Sequence, residues 1–280
     1  AESKQQLAQR DITKSFVVKN AGESPEMQEK KKHFSIKVMT VNTHKGFTSF
    51  NRRFILPELR NAVRTLSADV VFLQEVLGEH HAWSKRHTER WPHRPQYEFL
   101  ADSIWQSYAY GRNAVYPEGH HGNALLSKYP ISSWDNKDIS LNGMERRGLL
   151  HCILHMPDLD RCLHTICVHL SLRENHRQQQ LRMLKTLLAD IPQDNPLIVA
   201  GDFNDWRLQG HRFLEDELGL SEAFSHSGTK PARTFPASFP ILRLDRIYFR
   251  SARSVTPVVL PNRPWSHLSD HKPLLAEINF

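Results

Sequence analysis

The sequence predicts a layered α+β fold, and three stretches carry that prediction. Residues 35–75 read as strand, helix and strand in immediate succession. Residues 147–155 and 161–171 read as two strands, and Met156-Pro157-Asp158-Leu159-Asp160 between them is turn chemistry that suits an antiparallel hairpin. Pro196-Leu197-Ile198-Val199-Ala200-Gly201 holds the uninterrupted apolar run of a strand buried on both faces, then meets Asp202-Phe203-Asn204-Asp205. If the chain stays extended there, Asp202 and Asn204 point to the same side.

Taken in order, residues 1–33 are polar and end in Glu29-Lys30-Lys31-Lys32-His33, so a loosely ordered arm is expected ahead of a single domain over 34–280. Residues 35–42 form a strand ending at Asn42, and 43–47 a loop. Phe54, Ile55, Leu59, Ala62, Val63 and Leu66 recur at helical spacing, with Pro57 near the helix start. Residues 69–75 are a second buried strand, closed by Glu75. A helix is expected through 79–90, and Pro92 and Pro95 break the chain beyond it. Glu118-Gly119-His120-His121-Gly122 reads as a loop before a strand over 123–127. A helix over about 174–190 carries Leu181, Leu184, Leu187 and Leu188 on one side. Phe213, Leu214 and Leu218 suggest a short helix, 221–240 a loop, and 241–249 a strand interrupted by Asp245. Further strands are expected near 254–260 and over 274–280, the last entered through Ser269-Asp270-His271-Lys272-Pro273.

Composition narrows the class. Apolar residues at 39% and charged residues at 24% of 280 fit a soluble globular chain. No apolar run approaches the ~20 residues that span a bilayer. A net charge of +7, with 17 histidines uncounted, favours a polyanionic partner. Nucleic acid is the leading choice and phospholipid the second; no obligate protein partner is evident. Cys152, Cys162 and Cys167 make no disulfide framework, so buried thiols in the cytoplasm are expected. A periplasmic or secreted location is expected instead if a leader was removed ahead of Ala1.

Polar groups stand where apolar runs stop: Asn42, Glu75, His169, Asp202 with Asn204, and Asp270 with His271, while Asp245 lies inside a sixth run. Charge at a buried strand is costly unless paired or metal-bound. Six such positions point to one shared site.

Those residues sit in motifs: Val41-Asn42, Leu73-Gln74-Glu75, Gly122-Asn123-Ala124-Leu125-Leu126-Ser127, Val168-His169-Leu170, Gly201-Asp202-Phe203-Asn204, Leu244-Asp245-Arg246-Ile247 and Ser269-Asp270-His271-Lys272-Pro273. With these motifs in this order, the chain resembles the endonuclease/exonuclease/phosphatase superfamily. That group includes pancreatic deoxyribonuclease, the apurinic endonucleases, neutral sphingomyelinases and inositol polyphosphate 5-phosphatases.

The resemblance implies a four-layer sandwich, with two mostly antiparallel sheets face to face and helices outside. It implies a divalent cation, Mg²⁺ with Mn²⁺ as substitute, and hydrolysis of a phosphate ester. Carried over residue by residue, it makes Glu75, Asn42 and Asp270 the metal group. Asp202 orients or deprotonates the attacking water, and Asn204 fixes that water or the phosphate. His271, held by Asp245, binds the phosphate, and His169 meets it from the other side. Tyr110, His44 and Asn123 become candidate substrate contacts. The expected activity is a metal-dependent endonuclease acting on DNA or RNA by in-line attack of water. A phospholipid or small-molecule phosphoesterase of the same mechanism is the alternative, and a non-catalytic binding module a third reading. Asn42 is followed by Thr-His-Lys-Gly and not by a nearby acid, a departure from the apurinic-endonuclease form.

Overall fold

Two strand–helix–strand units decide the architecture. The structure, a computed structural model, describes residues 34–142, 145–157, 161–226 and 230–280; the expected arm over 1–33 lies outside them. The first unit is β1 (Ser35–Asn42), α1 (Leu56–Leu66) and β2 (Val70–His80), followed by α2 (His81–Arg86) and α3 (Gln96–Ala101). Four strands come next: β3 (Ser107–Tyr116), β4 (Gly119–Ser127), β5 (Ile131–Asp138) and β6 (Gly148–Leu154). The second unit is β7 (Leu163–His169), α4 (Glu174–Ala189) and β8 (Leu197–Asp202). Then come α5 (Gln209–Arg212), a π-helical turn at Phe213–Glu217, β9 (Ser221–Glu222), α6 (Ala223–His226), β10 (Asp245–Arg250), β11 (Ser254–Val258) and β12 (Leu274–Asn279).

A helical crossover returns the chain parallel to the strand it left, whereas a tight turn returns it antiparallel. Each sheet therefore has one parallel pair at its centre, β1 with β2 and β7 with β8, and antiparallel pairs elsewhere. The strand orders are β11-β12-β1-β2-β4-β3 and β5-β6-β7-β8-β10-β9. The alternating faces sort the side chains. Ile36, Val38, Val70 and Phe72 meet Ile198, Ala200, Ile247 and Phe249 between the sheets. Met39, Val41, Val71 and Leu73 face outward under Leu56, Leu59 and Val63 of α1. Val168, Leu197 and Val199 face Leu181, Leu184 and Leu188 of α4. Helix, sheet, sheet and helix make the four layers.

Several local expectations are corrected. β2 does not stop at Glu75 but runs on to His80 through a bulge: Leu73 pairs with Ala124 and Val76 with Gly122, so β2 spends one residue more than β4. The helix expected over 79–90 shrinks to α2, because residues 79 and 80 are still strand. Pro95 caps α3 at its start, a position proline tolerates. The glycine and histidine loop over 119–122 is strand, opening β4. β5 has no counterpart in the sequence reading; it is an edge strand with mostly exposed residues and no alternation to betray it. Asp245 starts β10 and does not interrupt it, residues 241–244 being outside the strand. Strand β8 ends at Asp202, and Asn204 turns at φ 50°, so the two are not on one face of an extended segment.

Arg246 points to the outer side of β10, where it is fully buried. Its guanidinium donates to Asp205 Oδ2 at 2.9 Å, to the Asp205 carbonyl at 2.5 Å and to the Arg243 carbonyl at 3.0 Å. Asp205 also accepts the amides of Gln209 and His211, so this pair pins the segment after β8 to β10. Removing the cation strands a buried carboxylate. Arg246→Leu is therefore expected to cost about 3–5 kcal/mol in urea denaturation, and a loss below about 1 kcal/mol would remove the pair from the account of this corner.

Candidate active site

The alternation that builds the core also aims the site. Thr40, Cys167, Ala200 and Ile247 face the space between the sheets, and two residues along each strand stand Asn42, His169, Asp202 and Asp245. These strand ends meet: Asn42 Nδ2 donates across the sandwich to Asp202 Oδ2 at 3.1 Å. Gly201 lets β8 close on β7 just ahead of Asp202. Its φ is +147°, and a Cβ there would lie 2.0 Å from the Val168 carbonyl oxygen of the neighbouring parallel strand.

The three buried groups Asp245, His271 and Asp202 form a line. His271 Nδ1–H donates to Asp245 Oδ2 at 2.8 Å, and its Nε2 lies 3.8 Å from Asp202 Oδ2. Burial alone would lower the imidazole's pKa, but the two carboxylates and the Asp245 hydrogen bond outweigh it and carry it to about 10. Burial raises Asp202 to about 7, against the pull of His271. His169 is the opposite case: burial first, then the charges of Arg147 and His271, hold it well below the ordinary histidine value. Its Nε2 is 3.5 Å from Asp202 Oδ2. Asn204 donates its backbone N–H to Asp202 Oδ1 at 3.0 Å and its side-chain amide to the Leu170 carbonyl at 2.8 Å.

Beside this line lie Glu75 and Asp270. The β2 bulge puts Glu75 at φ 54° and so re-aims a side chain that regular alternation would place elsewhere. Ser269 ties the other loop down by donating to the Asn42 carbonyl at 2.6 Å. Glu75 Oε2 and Asp270 Oδ2 stand 3.8 and 3.2 Å from the same nitrogen, His44 Nδ1, and Lys45 Nζ is 3.7 Å from Glu75. Burial would raise the Glu75 pKa, yet Lys45 and His44 bring it below its ordinary value.

Two groups of residues thus compete as a metal site. Asp202, Asp245 and His271 offer ligand atoms within 4.8 Å of one another. There, however, the imidazolium is already the cation, and a protonated ring has no lone pair to give. Glu75 and Asp270 offer hard carboxylate oxygens and stay partly exposed, which suits a divalent cation that keeps several waters. Two basic side chains, His44 and Lys45, are drawn to that spot, and His44 Nε2 is buried without a hydrogen-bond partner. Asn42 Oδ1 accepts the His44 amide at 3.0 Å, so Asn42 joins the group from its edge.

The structure brings together Asn42, His44, Glu75, His169, Asp202, Asn204, Asp245, Asp270 and His271. Tyr110 stands apart from them, and Asn123 is engaged in joining the sheets. Tyr110 faces the outer layer, its hydroxyl 3.0 Å from His120 Nδ1 and its ring stacked on Tyr97. Asn123 is buried and donates to the Gly148 and Cys167 carbonyls, joining the two sheets. Lys45 is a residue that sequence reasoning passed over; it follows Asn42 by three, in the loop at a strand end where the acids also stand. A groove of about 410 Å³ lies farther along β2, between residues 78–81 and 84–95, apart from the converging carboxylates.

The profile of the Endonuclease/Exonuclease/phosphatase family matches residues 39–271. The chain is 56% identical over 253 residues to YbhP of Escherichia coli (strain K12), described as an uncharacterized protein, covering 90% of this chain and 100% of that one. An endonuclease/exonuclease/phosphatase from Beutenbergia cavernae superposes with a TM-score of 0.66 at 20% identity, over 87% of this chain and 71% of that one. Truncated TDP2 of Caenorhabditis elegans superposes at 0.59 and 19% identity, over 88% and 97%.

Because Asp245 sets the charge on His271, Asp245→Asn is expected to bring the His271 titration, followed by NMR of the ring nitrogens, down from about 10. An unmoved titration would mean that Asp245 does not govern this ring.

Proposed function

Because the chain belongs to the endonuclease/exonuclease/phosphatase family, we propose that it is a divalent-metal-dependent phosphodiesterase. The observation that carries the reading is the Asp245–His271–Asp202 line at the sandwich mouth, with Glu75 and Asp270 beside it. Glu75 and Asp270, with Asn42 at their edge, would hold Mg²⁺ or Mn²⁺. When bound, the cation would polarise a phosphoryl oxygen and offset developing negative charge.

Asp202 accepts the proton of the attacking water, for which a pKa near neutrality is suited. The backbone N–H of Asn204 holds that carboxylate in place, and the second N–H of its side chain is left to orient water or phosphate. His271, kept cationic by Asp245, attracts a phosphate oxygen. Neutral His169, its Nε2 3.5 Å from Asp202 Oδ2, meets the phosphate beside that carboxylate. The substrate is a polyanion or lies in a polyanionic surface, as the charge of +7 suggests; nucleic acid and anionic lipid both meet that requirement.

Asp202→Asn and His271→Ala are each expected to lower turnover of a soluble diester, bis(4-nitrophenyl) phosphate, by at least about a hundredfold. Variant rates near wild type would sink the assignment of these two residues, and no turnover by the wild type would favour a non-catalytic module. Chelation is expected to abolish turnover and added Mg²⁺ or Mn²⁺ to restore it, and Glu75→Gln to raise the metal concentration needed for half-maximal rate. Turnover that survives exhaustive chelation would contradict the metal requirement. The pH profile should rise as Asp202 loses its proton and fall as His271 loses its own. Asp245→Asn should move the alkaline limb to lower pH, since it removes the charge that raises the His271 pKa.

A further inference from the structure

Ten large apolar side chains are exposed among the described residues, and their placement is uneven. Tyr108, Val115, Trp134 and Val258 lie on the edge strands β3, β5 and β11. The other six lie in loops at the end of the sandwich where Asn42 meets Asp202. Phe50 is 84% exposed in the loop after β1, and Leu172 is 67% exposed in the loop after β7. Trp206 follows β8, Phe239 and Ile241 precede β10, and Val259, 82% exposed, leaves β11. Strand direction fixes this placement: β11 runs parallel to β1, and β10 begins opposite Asp202. Scattered exposed apolar residues are ordinary, but six of ten carried by the loops of one mouth point to an interaction surface.

The Phe239 loop is part of the site wall. The Ala237 amide donates to the Asp270 carbonyl at 2.7 Å, and the Phe235 ring packs 5.1 Å from the His271 ring. The rim is also basic. Residues 43–55, 230–243 and 259–273 hold eight Lys and Arg and one acid, Asp270, which belongs to the site. Arg52 lies 5.3 Å from the Phe50 ring and Arg207 4.5 Å from the Trp206 ring, apolar and cationic groups side by side. A single-strand nucleic-acid surface uses aromatic platforms on which bases stack. Leu172, Ile241 and Val259 have no ring to offer a base. Aliphatic and aromatic tips beside arginines match the boundary between acyl chains and anionic head groups. No helix among the described residues is long and apolar enough to cross a membrane, so the contact would be peripheral.

We propose that this rim docks the protein on an anionic bilayer, with a lipid head-group phosphodiester delivered to the mouth it surrounds. The docking stands on the rim alone; the substrate half rests on the phosphodiesterase reading. The test is sedimentation of the full chain with vesicles of equal parts phosphatidylglycerol and phosphatidylcholine, beside turnover of bis(4-nitrophenyl) phosphate. The wild type should pellet with these vesicles, less with pure phosphatidylcholine, and less as salt rises. Phe50→Ser/Leu172→Ser/Val259→Ser should weaken pelleting at least about tenfold and leave soluble-diester turnover unchanged. Phe50→Ser alone serves if the triple variant does not fold. A wild type that stays in the supernatant, or a variant that pellets equally well, overturns the docking. Pelleting without cleavage of vesicle lipid, while plasmid DNA or RNA is cut, overturns the lipid substrate. Pelleting with no diester cleaved at all leaves the docking and overturns the hydrolase reading.

Discussion

Two carboxylates and one imidazolium are buried together where four strands end. Asp245, His271 and Asp202 place two acids and one cation in a region nearly closed to water. An isolated buried carboxylate would be costly, and each of these is compensated: Asp245 by the ring it holds, Asp202 by that ring, by the Asn42 amide and by the Asn204 backbone. The rest of the mouth is arranged around this requirement. Asn42 reaches across from the other sheet, Ser269 fastens the His271 loop to β1, and Arg147 remains near neutral His169. Taking away any member leaves another uncompensated, so the polar mouth and the packing of the two sheets depend on each other.

Part of the unusual backbone serves the same requirement. The Glu75 bulge and the left-handed residues His44, Lys45 and Asn204 all lie at the mouth. Regular alternation would have pointed Glu75 under the outer helices, among Leu73 and Val76. One extra residue in β2 turns it toward Asp270 instead. Positions of this kind cost roughly 1–3 kcal/mol each and persist where the surroundings over-determine them. Here the largely buried β1–β2 pair on one side and the Asn42–Asp202 contact on the other supply that constraint.

The mouth also joins two kinds of surface. Inside, charges are paired within 4 Å of one another; around it, apolar tips and arginines face solvent. The outer ring is attached to the inner group through the 235–241 loop, which packs on His271 and Asp270. Whatever seats on the ring is therefore mechanically close to the chemistry.

The buried strands 35–42 and 196–202, the helices 56–66 and 174–189, and the residues gathered at the mouth were legible in the chain itself. Each rests on local information: an apolar run that must be covered, a helical stripe, an acid where the run stops. Features that failed to show are those whose side chains lack a pattern, such as the exposed edge strand β5, or whose conformation is imposed from outside, such as β2 continuing through Glu75 and the polar 119–122 segment paired as strand. Tyr110 shows the limit most clearly, since an aromatic on a strand has two faces to choose from and only the stacking of Tyr97 and the bond to His120 decide which. By itself the sequence determined which residues must be buried and which acids, amides and imidazoles stand at strand ends. Only the tertiary structure decided that Arg246 answers Asp205 and not Asp245, that His271 is the internal cation, and that six exposed apolar tips share one end, because those facts depend on distances between segments far apart in the chain.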